Sequence, residues 1–224
     1  MPMDERLSLL AGMAQPCRLA VDVGTDHGFL ICDLVESGKA ERGIAADINP
    51  QPLDKARTEI RRRGLSDRIE TVLTDGLSGI SPALPDAVFI AGMGGDLMAR
   101  IISDWPGSTR PDVSFYLQPM SKAERLREYL WNSGFEVMQE KCCIAAGRPY
   151  SVFQVCFTGN IFHHDRWELY LGKVNPADGP SALAYCRKIL FQLTEKTEGH
   201  RKAGSPETPE LEQLLNEVKR RISG

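Results

Sequence analysis

Residues 19–28, with the sequence LAVDVGTDHG, constrain the fold of this chain more than any other segment. A short apolar run around Asp22 leads into a turn at Gly24, and apolar residues with helical spacing begin at Phe29. This order is typical of a buried strand, a tight loop and the start of a helix, the first unit of an open α/β sheet. Because such sheets bind ligands at the carboxyl ends of their strands, we expect loop 24–28 to lie in a ligand crevice.

The loop lacks the glycine spacing of a dinucleotide site. That site has glycine at its first, third and sixth positions, where the backbone approaches a pyrophosphate. Counted from Gly24, these positions hold Gly24, Asp26 and Phe29. Asp22 and Asp26 instead suit a ligand with positive charge and hydrogen-bond donors, such as S-adenosylmethionine with its ammonium and sulfonium groups. The alternative is that both carboxylates only cap the following helix.

Predicted strands and helices alternate along the chain up to residue 132. Further strands are predicted at 42–48, 69–73, 87–90 and 113–117, and helices at 3–14, 29–35, 50–63, 96–103 and 122–132. The alternation predicts a parallel sheet with right-handed crossovers. Strands at 135–144 and 151–157 have no room for a helix between them and predict an antiparallel hairpin. We therefore predict a seven-stranded Rossmann-like sheet with the strand order of class I methyltransferases.

The composition changes near residue 160, where we place a domain boundary. Segments 175–180 and 203–206 contain helix breakers, and leucines and other apolar residues recur at helical spacing between and after them. We predict a methyltransferase-type domain over 1–159 and a C-terminal α-helical hairpin over 160–224.

Composition limits the function classes. The 224 residues carry a formal net charge of -3, which gives no general attraction to nucleic acid. The six cysteines include no CxxC pair, so we expect reduced thiols and no metal site or disulfide framework. No signal peptide and no long apolar run is present in the sequence. We expect a cytoplasmic protein without membrane contact, and a monomer because no aromatic-rich patch suggests a dimer.

Acidic residues recur where the predicted strands end. Asp22, Asp47 and Asp75 close the first three strands, and the segment 92–95, Gly-Met-Gly-Gly, closes the fourth. An acidic residue after strand two can accept both ribose hydroxyls. One after strand three can accept the amino group of an adenine ring. Together they favour an adenosine-containing ligand without phosphates; the alternative is that they are ordinary caps and turn residues.

Three segments resemble the bacterial tRNA (adenine-22-N1)-methyltransferase family, TrmK. They are 21–28 (VDVGTDHG), 90–95 (IAGMGG) and 117–119 (LQP). The resemblance extends over about 5–158, and the C-terminal helices resemble that family's coiled-coil domain in pattern. It implies transfer of a methyl group from S-adenosylmethionine to N1 of adenine 22 in tRNA. Alternatives are the same fold acting on another RNA or a small molecule, and a non-catalytic RNA-binding module.

The candidate site residues follow from these motifs. Cofactor binding is predicted for Asp22, Gly24, Asp26, Gly28, Asp47, Ile48, Asn49, Asp75, Gly76, Gly92, Met93 and Gly94. Asp26 is the candidate general base for removal of an N6 proton, with His27 second. The alternatives are that Asp26 only binds the cofactor and that His27 only hydrogen-bonds within the loop.

The 92–95 segment lacks the Asn/Asp-Pro-Pro-aromatic loop of amino-methylating enzymes, which disfavours methylation of an exocyclic amine. Substrate binding is predicted for Gln118, Pro119, Arg148 and Tyr150, although Tyr150 fits an edge-strand packing role equally well. Further candidate cations for RNA phosphates are Arg61, Arg62, Arg63, Lys122, Arg125, Arg127, Lys219, Arg220 and Arg221. For each of these clusters a solvated helix face is the alternative.

Overall fold

Seven strands form one sheet in the computed structural model, which describes residues 3–161 and 163–223. The strands are β1 Cys17–Val23, β2 Ala40–Asp47, β3 Ile69–Leu73, β4 Ala87–Gly94, β5 Ser114–Ser121, β6 Phe135–Ala145 and β7 Arg148–Phe157. The helices are α1 Glu5–Met13, α2 Phe29–Glu36, α3 Pro50–Arg62, α4 Gly95–Ser103, α5 Ala123–Asn132, α6 Arg166–Leu171, α7 Pro180–Lys202 and α8 Thr208–Ser223. Short 3-10 turns occur at Pro106–Thr109 and Pro176–Asp178.

The strand order is β3-β2-β1-β4-β5-β7-β6. The first five strands pair in parallel, and β7 pairs antiparallel with both β5 and β6. The predicted Rossmann-like fold with a C-terminal antiparallel hairpin is therefore confirmed. β1 lies inside the sheet between β2 and β4, and its residues from Ala20 to Val23 are all buried because helices cover both faces of the sheet.

Two apolar clusters form the core, one on each face of the sheet. The first packs α1, α2 and α3 against the sheet through residues such as Leu10, Ile31 and Ile60. The second packs α4 and α5 through residues such as Ile102 and Leu130. Burial of aliphatic and aromatic side chains on both faces supplies the main stabilising contribution and fixes the strand ends that carry the acidic residues.

Strands β4 and β7 are longer than predicted. The segment after Ile90, expected to be a loop, continues β4 to Gly94 with register shifts, because β5 also continues and pairs with it: Met93 lies opposite Pro119. β7 begins at Arg148, so the hairpin loop is only Ala146 and Gly147 rather than six residues. Both loop residues have positive φ, the backbone of a two-residue hairpin turn.

The C-terminal helices α7 and α8 pack against each other, as predicted. Their shared core includes Ile189, Leu193, Leu214 and Val218. Helix α6 was not predicted because it has only six residues and shows no apolar period. The sequence feature that could have indicated α6 is the capping box formed by Asp165 and Glu168 at the start of the helix. We propose the domain boundary near residue 160, since the clusters that cover the sheet and the cluster between α7 and α8 are separate.

Within residues 3–161 and 163–223, no helix has the length and apolar character needed to span a membrane. The same residues contain no group of three or more His, Cys, Asp or Glu side chains arranged to hold a metal ion.

Candidate functional site

A cavity of about 650 Å³ opens at the carboxyl ends of β1 and β4. It is lined by Asp22, by loop residues 24–28 and by Gly92, and α1 contributes Arg6 and Leu7. The loop therefore lies in a crevice, as its position after β1 predicts. Arg6 and Leu7 were not predicted as site residues, because the sequence identifies α1 only as an amphipathic covering helix.

Asp22 supplies a buried carboxylate to this cavity. It is 6% exposed, and burial raises its pKa from 3.8 to about 6; the Thr25 hydroxyl opposes this rise, and the Asp47 carboxylate adds to it. A carboxylate that stays charged in such surroundings is stabilised by a cationic or hydrogen-bond-donating partner. This part of the cavity therefore suits a ligand with an ammonium group.

Thr25, the second residue of the loop, presents a buried hydroxyl to the same region. The residue is 2% exposed, and its Oγ1 makes no hydrogen bond of ordinary geometry within the described part of the chain, although it is close enough to the Asp22 carboxylate to lower the pKa of that group. Buried polar atoms in native proteins are nearly always paired, so the Thr25 hydroxyl and the Asp22 carboxylate together form a polar part of the cavity wall that suits the polar atoms of a ligand. Sequence reasoning missed this residue because a threonine in a turn carries no distinctive signal.

Asp26 and His27 lie at the cavity rim. The Asp26 side chain is 70% exposed; Lys55 Nζ donates to its Oδ1 at 3.2 Å, and His27 Nε2 lies 3.4 Å from its Oδ2. The His27 ring stacks on Phe29 with a centroid distance of 5.2 Å. The general-base role of either residue stays a prediction.

The two glycine-containing motifs meet in the structure. A Cβ on Gly24 would lie 2.2 Å from Cε of Met93, so the Met93 side chain covers the first loop. Gly92 donates its backbone N–H to Oε1 of Gln118 at 3.2 Å, and Gln118 is fully buried. Direct contacts therefore join the predicted residues of loop 24–28 to those of β4, and those of β4 to those of β5. Gly94 lies next in the chain, as the N-cap of α4.

Gly28 is constrained by both its backbone and its neighbour. Its φ is +69°, and a Cβ there would lie 3.1 Å from Cβ and 3.3 Å from Cα of Ala56 in α3. A left-handed conformation costs an L-residue roughly 1–2 kcal/mol. Glycine at this position therefore permits both the turn into α2 and the close approach of α3.

We expect Gly28→Ala to lower the free energy of unfolding more than Gly38→Ala does. Gly38 has φ +75° with no atom within 4 Å of the added Cβ, so it carries the backbone cost alone, about 1–2 kcal/mol. Gly28→Ala adds the contact with the α3 backbone to that cost. Urea denaturation of both variants measures the difference, and equal losses would contradict the contact argument.

Asp47 ends β2 beside the cavity with an ordered side chain. Its Oδ1 accepts the backbone N–H of Asn49 at 2.7 Å, which leaves Oδ2 available to a ligand. Asn49 occupies the N-cap position of α3, as predicted, but its side chain makes no capping hydrogen bond. Ile48 and Leu73 are 58% and 59% exposed, an unusual exposure for two aliphatic side chains at neighbouring strand ends.

Asp75 follows β3 at the same edge of the sheet. The Thr74 N–H donates to the carbonyl of Asp47 at 2.9 Å, which ties the two strand ends together. The Asp75 carboxylate is exposed and lies 3.8 Å from the Arg100 guanidinium. Gly76 continues the turn with φ +56°. Asp47 and Asp75 thus lie on consecutive strand ends next to the β1 loop, although neither lines the 650 Å³ cavity itself.

The predicted substrate residues lie beside β4, on the β5–β7 side of the sheet. Gln118 and Pro119 are buried in β5, Tyr150 is 7% exposed in β7, and Arg148 is exposed at the start of β7. The antiparallel pairing of β5 with β7 brings the hairpin turn to the carboxyl end of β5. Packing in the sheet therefore buries most of the Tyr150 side chain. A role of Tyr150 in substrate binding stays a prediction.

One predicted cation is corrected by the structure. Arg127 is fully buried and pairs with Glu140 at 2.5 Å, so it is not available to a phosphate. The sequence could not distinguish Arg127 from Arg125, because both are arginines of the same predicted helix. The remaining clusters pair largely with carboxylates of their own or neighbouring helices, as in Arg62–Glu59, Lys122–Asp96, Arg125–Glu128 and Arg221–Glu217.

Comparison with known proteins extends this description. The family model described as "Methyltransferase domain" matches residues 3–153. The tRNA (adenine(22)-N(1))-methyltransferase of Bacillus subtilis is 31% identical over 150 residues, which are 67% of this chain and 63% of that protein. The chain thus matches less than two thirds of the length of that curated relative. A probable cobalt-precorrin-6B C(15)-methyltransferase of Methanothermobacter thermautotrophicus is 30% identical over 148 residues, 62% of this chain and 74% of that protein.

A solved structure matches the whole length of the chain. A putative tRNA (m1A22) methyltransferase of Streptococcus pneumoniae, in complex with S-adenosyl-L-methionine, is 25% identical with a TM-score of 0.85. The match covers 99% of this chain and 100% of that one, including the C-terminal helices. The resemblance inferred from the three sequence motifs is confirmed by these similarities. The family model matches two thirds of this chain, so the chain belongs to the methyltransferase domain family.

Proposed function

We propose that this protein transfers the methyl group of S-adenosylmethionine to N1 of adenine 22 in tRNA. The observation that carries the proposal is the buried Asp22 carboxylate in the cavity at the end of β1, beside the buried hydroxyl of Thr25. This combination suits an ammonium-bearing ligand and is unsuited to a phosphate.

The acidic strand ends fit the remaining parts of the cofactor. Asp47, held by the Asn49 N–H, has a free oxygen for the ribose hydroxyls. The exposed Ile48 and Leu73 side chains offer an apolar surface for the adenine ring, and Asp75 offers an acceptor for its amino group. The bound cofactor supplies an electrophilic methyl group, and the protein residues hold that group in a fixed direction.

The acceptor is expected to lie against Gly92. Gln118 fixes the backbone of Gly92, and glycine lets a base approach that backbone closely. Adenine N1 already has a lone pair in the plane of the ring, so it needs orientation more than activation. Alignment of N1 with the methyl group would therefore provide most of the rate enhancement.

The extent of similarity favours tRNA over a small-molecule acceptor. By sequence, the tRNA (adenine(22)-N(1))-methyltransferase matches 67% of the chain and the cobalt-precorrin relative matches 62%. By structure, the putative tRNA (m1A22) methyltransferase matches 99% of the chain, with α6, α7 and α8 included. A macromolecular substrate gives such an added helical region a use that a small acceptor does not. We also propose that the enzyme is a cytoplasmic monomer; all six of its cysteines are free thiols.

The proposal is tested by transfer of a labelled methyl group to unmodified bacterial tRNA, followed by nucleoside mass analysis. We expect 1-methyladenosine in the wild-type tRNA and none when adenine 22 is replaced. Label on a different nucleoside, or cofactor binding without transfer to any tRNA, would overturn the proposed substrate. Failure to bind the cofactor at high micromolar concentration would overturn the methyltransferase activity itself.

Asp26→Asn tests the proposed general base. If the carboxylate removes a proton from the substrate, the variant lowers kcat and leaves the dissociation constant of S-adenosylmethionine unchanged. This is the result we expect, because Asp26 lies at the rim and not beside Asp22 in the buried part of the cavity. Unchanged kcat would exclude the base role, and a raised dissociation constant alone would identify Asp26 as a cofactor ligand.

A further inference from the structure

A second cavity of about 280 Å³ lies between the sheet and α7; we call it the α7 cleft. On the sheet side it is lined by Pro119 and Met120 of β5 and by Tyr150 of β7. On the helical side it is lined by Lys188 and Lys196 of α7, among others. Pro119 and Tyr150 are predicted substrate residues, but the sequence motifs do not account for the two lysines of α7.

Lys188 gives the α7 cleft its charge. Its side chain is half-buried, and Nζ lies 5.0 Å from the centroid of the Tyr150 ring and 5.9 Å from that of Tyr185. Nζ donates to the carbonyl of Pro149 at 3.0 Å, and no carboxylate lies within 4.0 Å of it among residues 3–161 and 163–223. Burial lowers the pKa of Lys188, and the nearby Arg148 guanidinium adds to this effect. An ammonium with three donors and one partner retains capacity for an anion.

Lys196 extends the positive surface along the same helix. It is exposed, has no ion pair in the described part of the chain, and follows Lys188 by two i,i+4 steps, so both lie on one helical face. The one acidic side chain that lines the α7 cleft is Glu124. Lys122 also lines it, but its ammonium pairs with Asp96. The cleft therefore has a net positive charge beside tyrosine side chains.

The α7 cleft adjoins the cofactor cavity through a shared wall. Arg6 lines the cofactor cavity and donates to Oε1 of Gln118 at 3.3 Å, and its guanidinium lies 5.5 Å from the Tyr150 ring centroid. Lys188 contacts the same ring. The Tyr150 ring thus contacts Arg6 of the cofactor cavity and Lys188 of the α7 cleft, so the two cavities are neighbours.

We propose that the α7 cleft binds a phosphodiester of the tRNA strand that flanks the methylated adenine, with Lys188 and Lys196 as its cationic ligands. The proposal rests on the proposed function, since it specifies how the same site holds its substrate. Flexible ammonium groups beside aromatic walls are the usual means of binding a single-stranded nucleic acid backbone. A nucleotide held here would fix the strand next to the acceptor position.

The test compares Lys188→Met with Lys196→Gln, alone and combined, in the full-length protein. Methionine retains most of the buried stem of Lys188 while removing its charge. Lys173→Gln is the matched control, because Lys173 is an exposed lysine that does not line the α7 cleft. The measurements are KM for tRNA, kcat at saturating tRNA, the dissociation constant for S-adenosylmethionine, and the dependence of tRNA binding on salt.

We expect the double variant to raise KM for tRNA about tenfold, with kcat and cofactor binding unchanged. The slope of log affinity against log salt should fall by about 0.7, because the two lysines hold one phosphate and each single-strand phosphate contact contributes about 0.7. Inorganic phosphate should compete with tRNA no better than chloride at equal ionic strength, which distinguishes a strand phosphodiester from a free phosphate.

A KM and a salt slope equal to those of Lys173→Gln would overturn the proposal. A loss of cofactor binding in the double variant would mean instead that the two lysines support the fold. Both results presuppose that the unaltered protein methylates tRNA. If the unaltered protein transfers no methyl group to tRNA, the proposed function is wrong. This result is distinguishable from failure of the α7 cleft proposal, because it is obtained with the protein that carries no substitution.

Discussion

Replacing Asp22 by asparagine is expected to weaken binding of S-adenosylmethionine about 100-fold while stabilising the free protein. Loss of one partner from a buried charged pair costs about 2–5 kcal/mol, and a 100-fold change corresponds to about 3 kcal/mol. Asparagine retains the size of the side chain but removes the charge that the ammonium group requires. Isothermal titration calorimetry measures the change directly.

The gain in stability follows from the pKa of Asp22. The folded-state pKa of about 6 lies above the ordinary value of 3.8, so the folded protein binds the proton more tightly than the unfolded chain. The free energy of unfolding therefore falls as pH rises from about 4 to 6. Above pH 6 the full cost, about 3 kcal/mol, is present. Asp22→Asn removes this cost, so its advantage over the wild type grows over the same pH range and then stays constant.

Binding to the wild-type protein should show the same titration. Below about pH 6 the Asp22 carboxylate is protonated, so the dissociation constant for the cofactor should rise about tenfold per pH unit. The asparagine variant should lack this dependence. Asp67→Asn, an exposed aspartate in the turn before β3, serves as the control and should change neither stability nor binding. A wild-type affinity that stays constant between pH 7 and pH 5 would contradict the role given to Asp22.

Arg127→Met is expected to destabilise the protein by about 3–5 kcal/mol, because it leaves the Glu140 carboxylate buried and unpaired. The Arg127 and Glu140 side chains are both fully buried. The guanidinium also donates to the carbonyl of Leu169 at 2.7 Å and to the hydroxyl of Tyr185 at 3.2 Å. One side chain of α5 therefore joins β6, α6 and α7. For a chain of this length, we expect a fall in melting temperature of about 10 °C.

Hydrogen exchange of the Arg127→Met variant should show which helices and strands lose stability. Amides of α6 and of the first half of α7 should lose protection before those of the central strands, because Arg127 is their main polar link to the sheet. Arg125→Met is the matched control: Arg125 lies on the same helix, is exposed and pairs only with exposed carboxylates. Equal melting temperatures for the two variants would show that the Arg127–Glu140 pair does not stabilise the packing of α6 and α7 against the sheet.

The sequence by itself determined the order of the strands along the chain and the acidic residues at their ends. Apolar runs, glycines and N-cap residues are local signals, and Asp22, Asp47 and Asp75 followed from them because each stands where a predicted strand ends. The helical hairpin followed from the spacing of its apolar residues in the same way. Element bounds were accurate where a glycine follows or a proline begins a helix, as at Gly38 after α2 and Pro50 in α3.

The tertiary structure decided what depends on pairing between distant segments. β4 continues through Gly92 and Met93 only because β5 supplies the partner strand, a condition that no local pattern reveals. The burial of Arg127, the burial of Thr25 and the contact of Arg6 with Gln118 depend in the same way on residues far apart in sequence. Charge and hydrogen-bonding capacity are properties of a residue, but desolvation and partners are properties of its surroundings. The sequence therefore determined which groups are available for chemistry, and the packing of the chain decided which of them face the cavity.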